Sequence, residues 1–181
     1  MSHLTRQAFK HPIMKEFRDL LVAEVRRRLV GESVPRVKKC LAELTEREIW
    51  LRPNEHSNSV GNLILHLCGN VRQWVLTGLG GAPDQRQRQT EFDERGPLPT
   101  AELLRRLDEV MQGVEAVLEK LTPEQILQPV LVQGFQETGL SILVHVVEHF
   151  SYHTGQITYF VKWKKDMDTG YYDEEDLDVT G

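Results

Sequence analysis

The sequence predicts an all-α fold, an up-down four-helix bundle, and three observations carry that reading. Four segments repeat apolar residues every three or four positions, no segment alternates convincingly with the period of a strand, and no internal repeat occurs. The 181 residues, 40% of them hydrophobic, suit one globular domain with a real core. We divide the chain into a bundle domain, residues 1–165, and an acidic tail, residues 166–181, which reads as extended or partly disordered.

The first helix is expected over about residues 14–30, where Phe17, Leu21, Val25 and Leu29 recur every fourth position. Gly31 and Pro35 read as breakers, and a second segment over about 34–45 follows with Val37, Cys40, Leu41 and Leu44. Next comes NSVGNLILHLCGNVRQWVL, which Asn58 or Ser59 can cap. Its apolar face is drawn by Val60, Leu63, Ile64, Leu67, Val71, Trp74 and Val75, and Arg72 is its only charge, so it should be buried on most sides. The polar stretch DQRQRQTEFDERGPLP is too long for a tight helix-to-helix turn. Thr100 then opens a strong helix with a stripe from Leu103 to Leu121, closed by Thr122 and Pro123. A short element around EQILQP and a loop through Gly134 and Gly139 lead to the last helix, over about 140–164.

Composition excludes several classes of function. A formal net charge of -5 is wrong for a protein whose main partner is nucleic acid, because phosphate binding needs a concentrated basic surface. The N-terminal MSHLTRQAFKHP has no apolar core of a signal peptide, and no run of about 18 apolar residues offers a membrane span. Cys40 and Cys68 form no CxxC pair, which suits a reducing compartment, so the expected location is cytoplasmic. There is no Ser/His/Asp order, no phosphate loop and no obvious general base.

The chemistry is concentrated in HVVEHFSYHTGQI, where His145, His149 and His153 stand four residues apart. A helix advances about 100° per residue, so steps of four keep all three rings on one stripe. Taking Ile142 as zero, His149 and His153 fall near about 340° and 20°, on the inward side, with His145 at its edge and Ser151, Gly155 and Lys162 opposite. An inward histidine is usually a hydrogen-bonded core residue, but two at i and i+4 can also chelate one cation if another helix supplies a third donor. His66, flanked by Asn62, Asn70 and Gln73, is the donor the second long helix offers; Cys68 lies about 200° away from it around the helix and cannot easily share its metal.

His66 in a charge-poor helix, followed by HxxxHTGQI on the last helix, resembles the DinB/YfiT-like superfamily of four-helix-bundle metalloproteins. Two stretches, NSVGNLILHLCGNVRQWVLTGLGG with the following RQRQTEF and HVVEHFSYHTGQITY, are similar to an uncharacterised branch of it, and the likeness covers nearly the whole chain. The resemblance implies that His66, His149 and His153 hold a divalent metal, commonly nickel or zinc, with coordination positions left open. His145 then becomes a neighbouring support, an alternative ligand or a packed core residue, and Glu148 a candidate helper beside His149. Arg86 and Arg88, in the loop after the metal-bearing helix, become candidates for binding an anionic substrate group.

Several members of the superfamily use small thiols, so the resemblance implies a thiol-dependent S-transferase acting on small electrophiles, with a low-molecular-weight thiol as second cofactor. The rivals are a non-catalytic metal- or small-molecule-binding module and a metal-dependent hydrolase. The resemblance further implies a homodimer.

Overall fold

A computed structural model describes residues 12–96 and 98–180. The chain is helical, with one small hairpin. The first rod is continuous from α1 (Pro12–Val25) through a widened π-helical stretch, Arg26–Ser33, into α2 (Val34–Ala42). The expected break at Gly31 and Pro35 is therefore absent. In the widened turn the Val34 N–H reaches back to the Leu29 carbonyl, a five-residue step that lets the helix absorb a proline, whose missing N–H would otherwise leave an interior gap. Val22, Val25 and Leu29 face inward, whereas Phe17 remains 40% exposed.

The short α3 (Glu46–Ile49) precedes α4 (Val60–Val71), which continues through a second π-helical stretch, Arg72–Thr77. The connection that follows contains a helix the sequence reading missed, α5 (Arg88–Asp93). Then come α6 (Thr100–Lys120), α7 (Pro123–Leu127), the strands β1 (Pro129–Val132) and β2 (Phe135–Thr138), and α8 (Gly139–Lys165). The expected loop through Gly134 is instead an antiparallel hairpin pairing Val132 with Phe135. Gln133 and Gly134 both have positive φ, as a two-residue turn of matching twist requires.

The architecture is more elaborate than a simple four-helix bundle, and its direction also differs from up-down. The first rod and α6 are antiparallel, since Arg18 donates to the Leu118 and Leu121 carbonyls, Arg26 pairs with Glu115 and Lys38 with Asp108. On the other side, α4 and α6 are parallel: Leu76 packs against Gly113, and Val117 against Gly80. In contrast, α4 and α8 are antiparallel, with His66 beside His149 and Asn70 beside His145. The long connection between α4 and α6 makes this possible, because it carries the chain back to the starting end before α6 begins.

The core is a single cluster to which every long element contributes, including Leu29, Val37, Ile64, Leu67, Leu103, Leu107, Ile142 and Phe150. On α8 the buried arc runs through Leu143, Val146, Phe150, Ile157 and Val161, so the histidine stripe lies at its edge, against α4, rather than at its centre. The start of the acidic segment docks instead of extending: Thr169 is buried, and the Tyr171 hydroxyl contacts Cys40 Sγ at 3.1 Å and Thr158 Oγ1 at 2.9 Å. Residues 173–180 are exposed. Among the described residues no helix is long and apolar enough to cross a membrane.

Candidate metal centre

The site begins with the way α4 starts. Ser59 caps it, its hydroxyl accepting from the Asn62 N–H while Asn62 Oδ1 accepts from the Ser59 N–H. The same Asn62 amide donates to the Glu91 and Glu94 carbonyls at 2.9 and 2.8 Å, which fastens α5 across α4. Glu91 is thereby placed one turn along, against His66. Gly69 makes this approach possible: a Cβ there would lie 2.0 Å from Glu91 Oε1.

His66, His149 and His153 converge so that one donor atom from each lies within 4.8 Å of the others. His66 Nε2 is 2.9 Å from His149 Nε2, and the ring centres of His153 stand 5.1 and 4.6 Å from those of His66 and His149. Two of the rings are turned by acceptors on their far sides. His66 Nδ1 lies 3.0 Å from Glu91 Oε2, and His153 Nδ1 lies 2.7 Å from Gln156 Oε1. At His153 the acceptor at Nδ1 selects the tautomer with its proton there and leaves the Nε2 lone pair free, whereas His66 Nδ1 meets both the Glu91 acceptor and, at 3.2 Å, the Arg86 Nη2 donor. The donor set thus fits a divalent cation: lone pairs converge, and the carboxylate behind His66 is the support typical of metal-bound imidazole.

Electrostatics favours the neutral ring at His149, His153 and His145. Burial, reinforced by the neighbouring imidazoles, pushes the His149 pKa down to about 3. Burial also lowers His153 and His145, although Gln156 opposes the shift at His153 and Glu137 and Glu148 oppose it at His145. For Glu91, burial works against ionisation, but hydrogen bonds from Arg86 and His66 outweigh it and hold the carboxyl below the ordinary range. The Arg86 fork grips both Glu91 oxygens at 2.8 and 2.9 Å and gives its remaining arm to Gln73 Oε1 at 2.9 Å.

The other expected site residues separate into distinct places. His145 stays outside the converging trio: it stacks on Trp74 with centres 3.7 Å apart and accepts from Asn70 Nδ2 at 3.3 Å. Glu148 is exposed and lines an open cavity with His145 and His149. Arg86, expected to meet an anionic substrate, has a side chain only 4% exposed and is engaged by Glu91, Gln73 and, at 3.2 Å, His66 Nδ1. Arg88 is exposed, lies over the Phe92 ring at 4.8 Å, and makes no ion pair among the described residues. It lines a cavity of about 320 Å3 that opens on His66 and His149, with Trp74, Phe135 and Glu137 on its other walls. The hairpin closes this cavity, since Gln133 Oε1 accepts from Trp74 Nε1 at 2.9 Å.

Sequence reading missed Glu91 as the partner of His66, Gln156 as the partner of His153, and the hairpin as a wall. The only available signals were the RQRQTEF stretch itself and the glutamine three residues after His153.

The fold and the histidine trio together describe a helical protein with a three-histidine cluster able to hold a metal ion. Crystal structures of two DinB-like proteins share the architecture. YjoA from Bacillus subtilis superposes with a TM-score of 0.61 at 17% identity, over 82% of this chain and 94% of that one. A DinB-like protein from Bacillus cereus ATCC 10987 gives 0.58 at 17% identity, over 77% and 89%. The chain belongs to DUF1572, a family described as a protein of unknown function, whose model matches residues 18–170. The uncharacterized protein YkkA of Bacillus subtilis (strain 168) is 26% identical over 150 residues, covering 76% of this chain and 86% of that protein.

Proposed function

We propose that His66, His149 and His153 bind a divalent metal, nickel or zinc, and that the protein is a metal-dependent S-transferase joining a small thiol to an electrophile. One observation carries the reading: three imidazoles, two with their outer nitrogens engaged by Glu91 and Gln156, converge beside a cavity large enough for a small molecule. When bound, a divalent cation supplies a fixed positive charge that favours the thiolate, the nucleophilic form of the thiol.

The chain's own residues do the rest. Glu91 and Arg86 hold His66 in place, Trp74 and Phe135 offer flat apolar walls, and Arg88 and Glu137 offer one charge of each sign to a polar cofactor. The thiol proton passes to solvent water, sulfur bonds to the electrophilic carbon, and the leaving group departs with the electron pair of the broken bond. The protein contributes mainly orientation and activation of the nucleophile.

Metal analysis of purified protein and of His66→Ala tests the first half; undiminished metal in the variant would remove the ligand assignment. For the second half, cobalt-loaded protein titrated with a thiol panel should develop a sulfur-to-cobalt charge-transfer band that His149→Ala lacks. Turnover with an electrophile should require both metal and thiol.

A non-catalytic binding module is the second reading, and one observation favours it. The buried carboxylate nearest the histidines is already tied to Arg86, which leaves no free carboxylate in contact with the cluster among the described residues. Thiol binding without metal-dependent turnover across the panel would select this reading.

A further inference from the structure

A second cavity, of about 740 Å3, lies on the other side of the histidine trio and shares no wall residue with the one under the hairpin. One wall is the outward stripe of α8, formed by Tyr152, Gly155, Gln156, Tyr159, Phe160 and Trp163 at helical spacing; the other is the 53–58 loop with Val60 and Leu63. Three of these aromatics, Tyr152, Tyr159 and Trp163, are 63%, 74% and 60% exposed. Gln156 joins the groove to the metal centre, because the side chain that lines it is also the one that engages His153 Nδ1.

Gly155 shows that the open space is not a requirement of the fold. A glycine inside a helix costs about 1 kcal/mol relative to alanine. Here no neighbour asks for it, since an added Cβ would meet nothing within 4 Å. Gly155 lines this groove and also a smaller cavity beside Thr158 and Tyr171, so a large side chain here would narrow the space next to Tyr152 and Tyr159. The volume falls in the range of about 300–1,000 Å3 typical of small-molecule sites, and the aromatic walls suit a flat apolar ring.

We propose that this groove binds an apolar aromatic small molecule, with Gly155 keeping the site open and Gln156 marking the end nearest the histidines. Its role as the electrophile's subsite, with the thiol entering from the hairpin side, rests on the function proposed above; the binding itself does not.

The test uses the fluorescent aromatic probe 8-anilino-1-naphthalenesulfonate with the full chain, both metal-free and metal-loaded. Saturable binding with energy transfer from tryptophan, reduced in Trp163→Phe, is expected in both forms. Gly155→Leu should fold at least as stably, by circular dichroism melting, yet bind the probe at least about tenfold more weakly. Undiminished binding by a folded Gly155→Leu, or no saturable binding by the wild type, overturns the proposal. So does a wild-type dimer in sedimentation that Gly155→Leu converts to monomer, because the occupant would then be a second copy. Probe binding by a protein that takes up no nickel or zinc when these are supplied would retain the groove and reject the metal-dependent function.

Discussion

The two long seams of the molecule are built from different materials. Between α4 and α8 the contact surface is interrupted by His66, Asn70, His145 and His149, and Asn62, Gln73 and Glu91 continue the polar layer toward α5. Between the first rod and α6, apolar residues such as Leu29, Leu103, Leu107 and Val114 fill the interior, and charges meet only at the rim, as in Arg26 with Glu115 and Lys38 with Asp108. Buried polar groups oppose folding unless each finds a partner. The histidine seam answers with a chain of bonds from His66 through Glu91 and Arg86 to Gln73 and Asp84. The comparison teaches that the apolar seam supplies stability while the polar seam is built to hold a site.

The largest expected separation comes from truncating one residue in each seam. Leu107→Ala, at a fully buried position, should destabilise the protein by about 2–5 kcal/mol in denaturant unfolding while the folded fraction keeps its metal stoichiometry. His66→Ala should reduce bound metal to less than about a tenth of wild type, because two remaining protein donors make a weak site. Metal loss in the first variant, or retention in the second, would break the division of labour.

Removing the metal with a chelator sharpens the same contrast. The far-ultraviolet circular dichroism should be unchanged and the melting temperature should fall, because the apolar seam forms a core without help from the cation. Collapse of the helical signal would show that the polar seam also carries the fold.

Glu91→Gln comes next in size. It weakens the acceptor at His66 Nδ1 and leaves the buried Arg86 without its anion, so metal affinity should drop by about 10–100-fold, with a lower melting temperature. Gly69→Ala should act in the same direction although it touches no histidine, since its methyl group would displace the Glu91 carboxylate. His145→Ala should keep most of its metal, as its ring stacks on Trp74 outside the converging trio. Competition titrations with a metal indicator read all three.

The smallest effect belongs to the rim. Arg26→Ala removes an ion pair whose two side chains are each 40% exposed, and solvent screening should hold the loss below about 1 kcal/mol, with no change in metal affinity.

The sequence alone determined the helical class, the four long apolar stripes and the candidacy of His66, His149 and His153, because these are properties of spacing along single helices. The short elements were less legible. Four-residue strands closed by Gln133 and Gly134 lack the stronger turn signals, and α5 has only six residues and no side-chain cap. Pro35 misled for a different reason: a widened turn depends on which carbonyl the next N–H reaches, and sequence spacing does not encode that choice. Tertiary structure alone decided that α6 runs parallel to α4, that Glu91 and Arg86 both meet His66, and that Gln156 lies between the histidine trio and an aromatic groove. Each of these depends on the approach of elements separated along the chain, and a one-helix periodicity carries no information about what crosses its path.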